Sequence, residues 1–189
     1  MLDDSVSDSE LLTFPLCDAV DDDNLEEVQR LVEGGNDINE VDTTRWGYTP
    51  LMRAAIVDST EITRYLLQQG ADVSLVSVSG NNALMEAVWK NHPNVLRVLL
   101  EHGAPMNCVD CQGYSALMIS TVRNKRGDRT ECAKLLLAHG AALGIRDEEG
   151  RSAKDLALEN GYEEIAALIE AEEKSRSTNS CFLQFLLNI

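Results

Sequence analysis

The chain has 189 residues, 44% of them apolar, and 16 Lys and Arg against 32 Asp and Glu leave a formal net charge of −16. That balance supports a sizeable core but argues against nucleic acid, whose phosphates reward clustered Lys and Arg, and against an anionic membrane surface. No stretch reaches the ~20 apolar residues of a membrane span, and the opening Met1-Leu2-Asp3-Asp4 lacks the basic and apolar run of a signal peptide.

Residues 1–27 contain Asp3, Asp4, Asp8, Glu10, Asp18, Asp21, Asp22, Asp23, Glu26 and Glu27, with no Lys or Arg. Residues 1–10 are expected to be an acidic, disordered tail, because they hold too little apolar surface to offset ordering. A weaker functional reading is attraction of a basic partner, or phosphorylation of Ser5, Ser7 or Ser9.

From there the chain repeats itself. Gly47-Tyr48-Thr49-Pro50-Leu51-Met52 is echoed at Gly80-Asn81-Asn82-Ala83-Leu84-Met85, Gly113-Tyr114-Ser115-Ala116-Leu117-Met118 and Gly150-Arg151-Ser152-Ala153, the glycines falling 33, 33 and 37 residues apart. A second pattern keeps step: Leu66-Leu67, Leu99-Leu100 and Leu136-Leu137, each closed by a Gly-Ala at 70–71, 103–104 and 140–141. Thr49, Asn82, Ser115 and Ser152 each precede a short apolar run, as helix N-caps do. Pro50 stands where a helix tolerates it, at its first position. Ile62, Leu66 and Leu67, like Val95, Leu99 and Leu100, form one apolar stripe on a second helix. Gly70, Gly103 and Gly140 fit the left-handed residue just past a helix end. One such helix pair cannot bury its own stripe, so neighbours must stack.

The glycine–x–Thr-Pro-Leu signature with paired leucines and Gly-Ala resembles the ankyrin-repeat family. A degenerate copy upstream, Phe14-Pro15-Leu16-Cys17 and 24–32, brings the count to five units, at 11–44, 45–77, 78–110, 111–147 and 148–173. The first unit lacks a glycine turn and a good cap. The fifth reads as a polar cap, with Glu170, Glu172, Glu173 and Lys174 where inner units are apolar. The chain departs from the family in placing Met52, Met85 and Met118 where a histidine often stands. Residues 174–189 are expected to be a polar linker and a short apolar tail. For that tail, folding back, acting as a docking peptide, or being an alternative terminus all stay open. The resemblance implies an all-α solenoid of helix-turn-helix units with β-hairpin or turn fingers.

Five cysteines in no framework spacing point to a reducing interior, hence an intracellular protein of the cytoplasm or nucleus. Cys108-Val109-Asp110-Cys111 lacks the second ligand pair a zinc site needs. His102 and His139 sit near helix C-termini, a favourable place for positive charge. Neither a nucleophile triad nor a phosphate loop is present, so no enzyme activity and no cofactor are expected. Arg123, Lys125, Arg126 and Arg129 form a basic loop, read as solvated, with an auxiliary contact for an acidic partner as the weaker reading.

The family template leaves its finger and groove positions free to vary between members. On that basis Trp46, Tyr48, Arg53, Val78, Asn81, Glu86, Trp89, Tyr114 and Ile119 are expected to form one continuous partner-binding face. Removing Trp46 or Trp89 is expected to leave folding almost intact. The function implied is a protein-binding scaffold or adaptor of unidentified partner, monomeric on its own. A regulatory or targeting subunit, inhibiting a kinase or adapting a ubiquitin ligase through its tails, is the alternative.

Overall fold

The computed structural model describes residues 13–43, 46–122 and 127–187, with side chains through 178. The acidic tail, Thr44 and Arg45 in the turn before Gly47, and Arg123, Lys125 and Arg126 of the basic loop lie outside them. Five helix pairs follow in order: α1 (Pro15–Asp21) and α2 (Leu25–Glu33), α3 (Pro50–Val57) and α4 (Thr60–Gln68), α5 (Ala83–Lys90) and α6 (Pro93–Glu101), α7 (Ala116–Thr121) and α8 (Thr130–Ala138), α9 (Ala153–Glu159) and α10 (Glu163–Leu187). Among the described residues no strand forms. The fingers carry only two isolated bridges, Asp42 with Tyr48 and Val109 with Ser115.

The caps act as the repeat chemistry requires. Thr49, Asn82, Ser115 and Ser152 each accept a hydrogen bond from the backbone N–H three residues on. Phe14 makes no such bond, so α1 begins uncapped. At the other ends, Ala71 N donates to Leu66 O at 2.9 Å and Gly70 N to Leu67 O at 3.1 Å, with Gly70 at φ +90°. This paired closure satisfies carbonyls that the helix itself leaves bare.

First helices pack on first helices and second on second, all along the stack. The first-helix layer is almost wholly buried: Pro50 through Ala55 in α3, Ala83 through Val88 in α5, and all of α7. Ala54, Ala55, Ala87 and Ala157 lie fully buried, where a larger side chain would hold neighbouring helices apart. The second helices bury one stripe only, Ile62, Thr63 and Leu66 in α4, and leave Arg64 and Gln68 to solvent.

The expected linker at 174–180 is instead helix, since α10 runs unbroken from Glu163 to Leu187. No glycine or proline interrupts it. Lys174–Glu170 at 2.6 Å and Arg176–Glu172 at 2.8 Å are supporting pairs one turn apart. Arg176 also reaches Ala141 O at 2.9 Å, tying α10 to the corner after α8. Lys154 joins Glu173 at 3.0 Å across the last unit. Among the described residues no helix is long and apolar enough to cross a membrane.

Candidate partner-binding face

The turns before each first helix are built on one backbone pattern. Asp42, Ser77, Asp110 and Asp147 each donate N–H to the carbonyl of the residue after the turn glycine, and each accepts that glycine's N–H. The turns then join to one another. Val78 N donates to Trp46 O at 2.8 Å, and Cys111 N to Ser79 O at 3.0 Å. Gly80, at φ +82°, is where this approach is tightest: a Cβ there would lie 2.9 Å from Cys111 N. Only glycine permits both the dihedral and the contact.

This edge carries most of the large exposed apolar side chains among the described residues, Trp89 on α5 and Leu158 on α9 being the others. Val41, Trp46, Val76, Val78 and Val109 all lie in the turns, with Trp46 59% and Val78 73% exposed. Of these, Val41, Val76 and Val109 were not singled out from the sequence. Their signal is weak, since a valine in an extended segment usually reads as a strand residue with one buried face.

The predicted face divides into two groups. Trp46, Val78 and Trp89 are exposed, and Tyr48, Asn81 and Tyr114 are half-buried. Arg53, Glu86 and Ile119 are buried, contrary to their expected presentation to a partner. All three stand four residues after the cap, where the neighbouring turns and first helix close over the side chain. Arg53 there meets three groups: Asp21 Oδ2 at 2.8 Å, the Asp42 carboxylate, and the Tyr48 ring with its centroid 5.5 Å away. Glu86, 2% exposed, accepts a bond from Asn81 Nδ2 at 2.9 Å. Burial holds its carboxyl above the usual range, against the opposing pull of Asn81 and Lys90. Burial likewise raises the Tyr48 hydroxyl, with nearby Glu86 adding to it.

Trp89 is anchored rather than free. The Arg129 guanidinium lies 5.4 Å from its ring centroid and donates to Trp89 O at 2.9 Å. Arg129 also donates to Ile119 O at 3.1 Å and Val122 O at 2.6 Å, and is fully buried. It is therefore a structural residue and no part of a solvated basic loop. Its three loop companions lie outside the described residues.

Between the third and fourth units a cleft of about 250 Å³ opens, walled by Asn81, Trp89, Asp110, Cys111, Tyr114 and Ile119 among others. Tyr114 is steadied by Arg151, whose Nη2 donates to the phenol oxygen at 3.2 Å. Cys108 and Cys111 are both exposed, and no group of three or more metal-ligating side chains forms among the described residues.

A family model for ankyrin repeats, in three copies, matches residues 16–110 and 103–179. YahD of Escherichia coli (strain K12), whose name marks it as an ankyrin repeat protein, is 32% identical over 146 residues, covering 76% of this chain and 72% of YahD. The rat "Ankyrin repeat and SAM domain-containing protein 6" (Rattus norvegicus) is 46% identical over 56 residues, 30% of this chain and 6% of that protein. Capped helix pairs, Gly-Ala corners and backbone-bonded turns agree with those matches: the chain belongs to the ankyrin-repeat family, whose repeats serve protein–protein interaction.

Proposed function

We propose that the array is a protein-binding scaffold or adaptor that engages its partner along the finger edge. The observation that supports this is the gathering of exposed Trp46, Val76, Val78 and Val109 on turns joined by the backbone bonds Val78 N to Trp46 O and Cys111 N to Ser79 O. Exposed apolar side chains set on a fixed frame lose little entropy on binding, and a tryptophan among them is the residue type most often found at interface hot spots. The buried Arg53, Glu86 and Ile119 support the edge from beneath.

The test uses the full chain and its isolated partner in calorimetry. Trp46→Ala should leave the melting temperature almost unchanged and weaken binding by ~2 kcal/mol or more. Gln68→Ala, exposed on α4, serves as the control and should bind normally. Unchanged affinity for Trp46→Ala, with loss on removing residues 1–10 or 175–189, would instead favour a regulator acting through its tails.

A further inference from the structure

The second unit contains a template for what the cleft in the fourth unit can hold. Matching turn hydrogen bonds put Asp110 at the place of Asp42. Tyr114 follows its turn glycine as Tyr48 does, and Ile119 stands four residues after its cap as Arg53 does. Counting from the caps of the preceding units, Trp89 takes the place of Asp21. Arg53 fills its site from within, against Asp21, Asp42 and Tyr48. In the fourth unit the corresponding groups Trp89, Asp110 and Tyr114 remain, but the shorter Ile119 leaves the cleft open.

The carboxylates make the same point. Asp147 accepts backbone N–H bonds from Glu149 and Arg151 on Oδ1, and the Arg151 Nε on Oδ2 at 2.8 Å. Asp42 likewise receives Arg53 on Oδ2. Asp110 accepts Gln112 N at 2.8 Å and Tyr114 N at 2.9 Å on Oδ1, and no hydrogen bond reaches its Oδ2 among the described residues. Beside it, Asn81 commits its amide nitrogen to Glu86, and its Oδ1 is a buried acceptor without a donor.

We propose that this cleft takes the guanidinium of an arginine side chain presented by a partner, in the position that Arg53 occupies in the second unit. The guest's planar fork pairs with the Asp110 carboxylate while its faces lie against Trp89 and Tyr114. Its aliphatic stem meets Ile119 and Val122. The arginines behind the walls weigh against any cation. Arg151, however, is paired with Asp147, Glu149 and Glu159, and the Nη groups of Arg129 are turned to the carbonyl oxygens of Trp89, Ile119 and Val122. The net charge of −16 draws a basic segment toward the face. This inference rests on the finger-edge reading only in taking the guest from a protein partner.

The test titrates a short glycine-flanked arginine peptide, and its citrulline counterpart, into the full chain while following the Trp89 indole and 110–114 amide NMR signals. The arginine peptide should shift these signals saturably, and the neutral citrulline peptide should bind about tenfold or more weaker. Asp110→Asn keeps the turn's acceptor and should reduce binding to the citrulline level. Ile119→Arg should fill the cleft from within and abolish binding. No shift with the arginine peptide, or equal binding of both peptides, overturns the inference; so does an Asp110→Asn chain that binds as well as the parent. None of these outcomes touches the Trp46 comparison, and partner binding that survives Trp46→Ala leaves the peptide titration standing. The two readings therefore fail separately.

Discussion

Arg129 and Trp89 hold each other. The guanidinium lies against the indole and is hydrogen-bonded to that residue's own carbonyl, so a side chain from the loop before α8 fixes the end of α5. The carbonyls of Ile119 and Val122 accept from the same group, Ile119 O taking the Val122 N–H as well. Replacing Arg129 by Met would remove a charged donor from the carbonyls of Trp89, Ile119 and Val122, at roughly 1–3 kcal/mol each. Arg129→Met should therefore lower unfolding free energy by about 3 kcal/mol or more in a urea melt. An effect below ~0.5 kcal/mol, the scale of a surface substitution, would contradict the lock. Trp89→Ala should also destabilise, which makes Trp46 the better probe of binding.

Leu84 is fully buried in α5, between the first helices of both neighbouring units. Leu84→Ala should cost about 2–5 kcal/mol, the transfer and cavity terms together. Urea denaturation gives the number directly.

Glu86 supplies a pH signature. Its carboxyl lies above the ordinary range because burial disfavours the charge, so the folded chain binds its proton more tightly than the unfolded chain does. Its contribution to stability therefore falls as pH rises from about 4.3, the ordinary glutamate value, through the raised folded value. Glu86→Gln retains an acceptor for Asn81 and removes the charge. The variant should melt above the parent at neutral pH, and the gap should close as the pH falls through the ordinary glutamate range. A gap of the same size at both ends of a melting-temperature profile would show that ionisation is not its cause.

The caps and corners were legible because they are local. A side-chain oxygen three residues before a bare N–H, or a glycine at a helix end, leaves its mark in adjacent letters. Thr49, Asn82, Ser115, Ser152 and Gly70 all stand as their spacing predicts. Burial at the fourth position after the cap was not legible, because neighbouring units close over it and its occupants Arg53, Glu86 and Ile119 share no chemistry. Arg129 was hidden for another reason. It ends a basic run that reads as solvated, and its partners are backbone carbonyls, which leave no letter of their own. The helix through 174–180 did leave a sign, an unbroken stretch without glycine or proline, but its polar composition reads equally as linker.

The bonds from Val78 N to Trp46 O and from Cys111 N to Ser79 O join main chain to main chain. The spacing of the turns therefore does not depend on which side chains project from them. Mutation can exchange Trp46, Val78 or Val109 one at a time, retuning what is recognised while the pitch of the row stays constant. Gly80 and Gly113 are exceptions: there the neighbouring turn's backbone is itself the contact, and any side chain would force the two turns to shift.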